Sequence, residues 1–73
     1  MSPIMLRQLW ALVEATQSPI LLDLDDTSLI QWLLRQLRVE RALDTNETYL
    51  FRNYIQSRLP LIRDLAHNRR VIQ

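Results

Sequence analysis

The stretch ILLDLDDTSL, residues 20–29, decides the fold. An apolar run leading into D-x-D-D-T reads either as a buried strand presenting aspartates or as the entry to a helix. The helix reading accounts for more of the letters. With Asp25 as N-cap, Leu24 and Leu29 fall at N′ and N4, the two positions of a hydrophobic staple. Asp25 then accepts backbone N–H bonds of the first turn, and Asp26 adds negative charge at the positive end of the helix dipole. Beyond Leu29, the residues Ile30, Leu33, Leu34 and Leu37 recur at helical spacing, with Trp32 to one side. Arg35, Arg38 and Arg41 follow in the C-terminal half, where the dipole favours cations.

The strand reading has a specific form. Asp23, Asp25 and Thr27 resemble the first motif of the haloacid dehalogenase-like phosphatases. That resemblance implies Asp23 as nucleophile, Asp25 as acid/base, a parallel sheet to hold them, a downstream basic residue and an acidic pair for Mg²⁺. Downstream of Thr27 there is no lysine, and Asp44 and Asp64 stand alone. A single βαβ unit takes about 30 residues or more, so the remaining chain is too short to build the sheet. A calcium loop fails as well: Ser28 stands where the loop needs glycine and Leu34 where it needs a bidentate glutamate. The motif is expected to be a helix cap.

Composition points the same way. Seventy-three residues make one small domain, and glycine and cysteine are both absent. Without cysteine there is no disulfide and no thiolate metal site, and His67 alone cannot form a multi-histidine site. No cofactor is called for. Without glycine, phosphate-cradling loops and tight hairpins are disfavoured, and abundant Leu, Gln, Arg and Glu favour helix. No apolar run reaches membrane-spanning length, and the N-terminus lacks an apolar signal segment; a cytoplasmic protein is expected.

Two further helices frame the central one. Ser2 and Pro3 supply an N-cap and a first-position proline, and Ile4, Leu6, Leu9, Trp10, Leu12 and Val13 give a broad apolar face ending near Ser18-Pro19. Leu43, Asp44 and Glu47 repeat the capping device as a box. Leu50/Phe51, Tyr54/Ile55, Arg58/Leu59, Leu61/Ile62 and Leu65/Ala66 then run on as paired positions. The spacing predicts an all-α three-helix bundle over about 3–16, 26–40 and 45–67. The third helix is expected to kink at Pro60, to stop at Asn68, and to leave 69–73 as a frayed tail. Residues 18–24 fit an extended linker or a short helical turn equally.

The charge is uneven. Residues 1–34 hold Arg7 against Glu14, Asp23, Asp25 and Asp26, a balance of −3, whereas residues 35–73 hold eight arginines against Glu40, Asp44, Glu47 and Asp64, a balance of +4. Every basic residue is arginine, a choice that suits interfaces and phosphates and that genomic base composition also produces. The Arg35/Arg38/Arg41 series fits a solvated face or a contact to phosphate or acidic protein. Trp10 and Trp32 fit packing or anchoring.

DDTSLIQWLLRQL followed by YIQSRLPLIRDLA resembles a family of small all-helical cyanobacterial proteins with no assigned activity. The resemblance implies a cytoplasmic bacterial protein and carries no site residues. Helices one and two carry more apolar surface than a chain this short readily buries. A homodimer forming a larger helical bundle is therefore expected. The expected function is non-catalytic protein–protein interaction, as adaptor, assembly factor or small regulator, with Trp10, Trp32 and Leu37 as apolar contacts and Arg35 and Arg38 as charged ones. The alternative is a nucleic-acid-binding regulator using the arginine-bearing half.

Overall fold

The computed structural model describes the backbone of residues 2–72 and the side chains of residues 2–69. The fold is all-α, but with four helices rather than three: α1 (Pro3–Ala15), α2 (Ser18–Asp23), α3 (Asp26–Glu40) and α4 (Thr45–Ile72). The extra helix is the ambiguous linker. Pro19 sits in the first turn of α2, where its missing N–H costs nothing, and the Gln17 carbonyl accepts from the N–H groups of Ile20 and Leu21. Leu21 is fully buried, and this burial is what turns a permissive segment into a helix.

The local signals at the other starts act as their letters require. Ser2 Oγ accepts from the Met5 N–H at 3.2 Å, and Asp25 Oδ1 accepts from the Ser28 N–H at 2.8 Å. Asp44 and Glu47 form a reciprocal box: the Glu47 N–H donates to Asp44 Oδ1 at 2.7 Å and the Asp44 N–H donates to Glu47 Oε1 at 3.2 Å. Leu24 is partly buried against the same core that fully buries Leu29, as a staple requires.

α4 organises the rest. Its 28 residues span about 42 Å at 1.5 Å per residue, comparable with the 38 Å longest extent of the whole molecule. α2 and α3 both pack on it, and α1 packs on α3. The core row of α4 is Phe51, Ile55, Leu59, Ile62 and Ala66, which keeps helical phase on both sides of Pro60. The helix is continuous through that proline. Pro60 is exposed, so the Gln56 carbonyl that it leaves without an i+4 donor lies on the solvent side, where water satisfies it.

The far end of α4 departs from expectation. No non-glycine residue among those described adopts positive φ, so Asn68 makes no left-handed stop. The helix runs on to Ile72 instead; Gln73 lies outside the described residues.

Because Pro60 forfeits a backbone bond without terminating α4, Pro60→Ala is expected to raise unfolding stability by about 1–3 kcal/mol. The check is urea denaturation at fixed protein concentration. Lower stability in the variant would mean that the core requires the proline's geometry.

Candidate interaction surface

The aspartate motif is a helix start. Asp23 closes α2, Asp25 caps α3, and Asp26 lies in the first turn of α3. Asp25 is held below its ordinary value of 3.8, first by the Ser28 hydroxyl and then by the Ser28 N–H; desolvation opposes them, and the positive charge of Arg63 adds the least. Its folded pKa lies below its unfolded one. The cap therefore stabilises fully above pH 3.8 and its contribution is lost as pH falls through the lowered value.

Three arginines are committed to helix ends. The guanidinium of Arg69 donates to the carbonyls of Thr16, Glu14 and Val13 at 3.2, 3.3 and 3.4 Å, closing the C-terminus of α1 from the last turns of α4. Arg63 donates to the Leu21 carbonyl at 2.9 Å and the Leu22 carbonyl at 3.5 Å, closing α2, and pairs with Asp26 Oδ1 at 2.8 Å. Arg41, the C-cap of α3, reaches Glu47 Oε2 at 3.1 Å and Gln8 Oε1 at 3.5 Å. Each clip joins elements distant in sequence by a fork of donors that lysine cannot reproduce. Arg41 thus leaves the charged series predicted for α3. Arg35 and Arg38 remain exposed, and neither makes a hydrogen bond or ion pair among the described residues.

The expected interface residues separate. Leu37 is only 1% exposed and belongs to the core beside Leu33 and Leu34; the apolar stripe of α3 is wide enough to enclose it, so it cannot contact a partner. Trp32 is half-buried against the core. Trp10 is half-buried and engaged by α4: its Nε1 donates to Tyr54 Oη at 3.2 Å, and the two rings meet edge to face at 6.4 Å between centroids and 84° between planes. The Arg58 guanidinium stacks 5.1 Å from the Tyr54 centroid on α4, a cation–π contact.

Around Tyr54 lies a surface that the sequence reading passed over. α4 carries a second apolar row, Leu50, Tyr54, Leu61 and Leu65, set roughly 110° round the helix from the core row at about 100° per residue. Leu50, Leu61 and Leu65 are 41%, 47% and 41% exposed. The paired letters Leu50/Phe51, Tyr54/Ile55, Leu61/Ile62 and Leu65/Ala66 contain this row, and the pairing alone does not say which member of each pair is buried. On the other flank of α4 a groove of about 760 Å³ runs against α3, with Ile30, Leu59 and Pro60 beside Thr27, Gln31 and Arg52. His67 is exposed on α4 with no hydrogen-bonded carboxylate among the described residues, and among these residues no cluster of three His, Asp or Glu side chains converges on a metal position.

No family model, no curated protein and no solved structure matches the chain.

The division of the arginines is testable by denaturation. Arg63→Met removes two carbonyl contacts and an ion pair at once, and is expected to cost about 1–2 kcal/mol. Arg38→Met is expected to stay within about 0.5 kcal/mol of the parent. For the cap, Asp25→Asn keeps an equally good N-cap without a titrating group. It is expected to match the parent near neutral pH and to lose less stability than the parent on acidification below pH 3.8, read from urea midpoints across pH.

Proposed function

We propose that this protein is a non-catalytic helical interaction module, an adaptor, assembly factor or small regulator, that works as a homodimer. One observation carries the reading: the second apolar row of α4 lies open beside the Trp10–Tyr54 pair, although the molecule has a filled core beneath it. Apolar residues that are spare after folding, aligned along four helical turns, are the raw material of helix-face recognition. Tyr54 and Trp10 supply the aromatic anchors that such surfaces favour, and Arg58 supplies a charged rim. Trp32, Arg35 and Arg38 lie on α3, where they form a separate candidate contact for a further partner.

The chemistry-bearing residues of the sequence have structural work that supports this reading over an enzymatic one. Asp25, Asp44 and Glu47 are caps, while Asp26 holds a clip. The nucleic-acid alternative is left with fewer arginines than the sequence count suggests, since Arg41, Arg63 and Arg69 face inward to carbonyls and carboxylates of their own chain. No described helix is long and apolar enough to cross a membrane.

Solution mass by size exclusion with light scattering is the test. A species of twice the 8.7 kDa chain mass is expected at both low and high salt, because the contact is apolar. Leu61→Glu is expected to shift it to monomer while leaving helical content unchanged. A monomer at every concentration would sink the dimer.

A further inference from the structure

The groove between α3 and α4 differs in charge from one end to the other. Its floor is apolar: Ile30 and Leu59 are nearly buried, and Pro60 is exposed beside them. Gln31 and Gln56 place amides along its edges. One end is closed by Asp26 and Arg63, which neutralise each other in an ion pair at 2.8 Å. The other end holds Arg52, exposed and without an ion pair among the described residues.

Two more arginines lie toward the Arg52 end. Asp26 in the first turn of α3 meets Arg63 late in α4, and only residues 41–44 join the helices, so α3 and α4 run antiparallel. The C-terminal half of α3 therefore lies beside the N-terminal half of α4. Arg35 and Arg38 follow Gln31 at i+4 and i+7, one and two turns on along the flank that borders the groove. Neither has an ion pair among the described residues. The acids near this end are engaged or turned away. Glu47 accepts from Arg41 and from the Asp44 N–H, and the Asp44 carboxylate accepts from the Glu47 N–H. Glu40 lies about 160° round α3 from Arg38 at about 100° per residue.

We infer that this groove binds a small amphipathic anion, with its carboxylate or phosphate head at Arg52 and its apolar body along Ile30, Leu59 and Pro60. The volume of about 760 Å³ falls in the range of small-ligand sites, which are mostly apolar clefts with a few placed polar groups. From Arg52 to Pro60 the groove wall runs about 12 Å along the helix, the reach of a medium-length alkyl chain. A guanidinium with no acid of its own is open to both oxygens of a carboxylate or two of a phosphate. A cleft with uncompensated positive charge at one end concentrates anions there. Charge also sets the direction, because a head at the opposite end meets the Asp26 carboxylate. The groove lies on the flank of α4 away from Leu50, Leu61 and Leu65, so the site does not depend on the dimer.

Titration of the isotope-labelled chain with decanoate, below its micelle concentration and followed by amide shifts, tests the site. Saturable shifts are expected at Thr27, Gln31, Arg52 and Gln56. Decyl phosphate is the second anionic probe, and the tighter of the two identifies the preferred head. Decanol is expected to bind at least about tenfold more weakly than decanoate, and decyltrimethylammonium not to bind. Arg52→Gln is expected to weaken decanoate binding by about tenfold. Gln56→Trp, which fills the groove from an exposed position, is expected to abolish the shifts; circular dichroism checks that both variants fold. Leu61→Glu, on the other flank, is expected to leave decanoate affinity unchanged. Shifts centred on Leu50, Leu61 and Leu65 would move binding to that flank and overturn the assignment. Equal affinity for decanoate and decanol would overturn recognition of the anionic head. Absence of saturable shifts with both anions would overturn the site itself.

Discussion

The constraint on which this structure depends is the absence of glycine. A helix commonly ends by turning a residue into the left-handed region, which lets backbone N–H groups return to the last carbonyls. A chain without glycine has that route only at a cost in strain, and no described residue takes it. Thr16, Leu24 and Arg41, the C-caps of α1, α2 and α3, are all extended. An extended cap leaves several terminal carbonyls without partners from their own helix. Buried or half-buried carbonyls left in that state would destabilise the fold, so donors must come from elsewhere. Arg69 and Arg63 bring them from α4 to the ends of α1 and α2, and the Thr16 hydroxyl adds a bond to the Leu12 carbonyl at 2.7 Å.

That constraint explains why the basic residues must be arginine at these positions. One guanidinium spans two or three carbonyls in a plane and keeps its charge at any ordinary pH, and a positive group beside a helix C-terminus also meets the negative end of the dipole. Lysine offers a point charge without the fork. The clips bind α1, α2 and the start of α3 to the one helix long enough to reach them all. Three short connections with no left-handed residue therefore hold, because their loose ends are fastened to α4.

How much of this was legible in the sequence follows from distance along the chain. The caps at Ser2, Asp25 and Asp44 were readable because donor and acceptor lie three residues apart, and the staple because its leucines bracket one cap. The continuous phase of α4 through Pro60 was readable because buried residues recur on both sides of it. The state of residues 18–24 was not, since Pro19 suits an extended segment and a first helical turn alike; it is settled by the burial of Leu21 and by Arg63, some forty residues on. The arginine clips were invisible for the same reason: Arg69 and its carbonyls are separated by 53 to 56 residues. Leu37 was misjudged because a single helix does not reveal how wide a stripe its neighbours will cover. The open row of α4 was not legible for the same reason, since paired apolar letters do not say which member of each pair its neighbours will cover.

The burial of Leu37 and the exposure of the α4 row have one cause. Each helix was weighed alone for how much apolar surface it carried, and the surplus was assigned to the first two helices. In the folded molecule α3 buries its own surplus, because α1 and α4 both lie against it. α4 cannot bury both of its rows, because elements packed along one side of a cylinder cover about a third to a half of its circumference. A helix that must hold three others presents one flank to them and keeps the rest. The length that lets α4 fasten every helix end is thus the same length that leaves Leu50, Leu61 and Leu65 partly open, and scaffold and surface are two consequences of one helix.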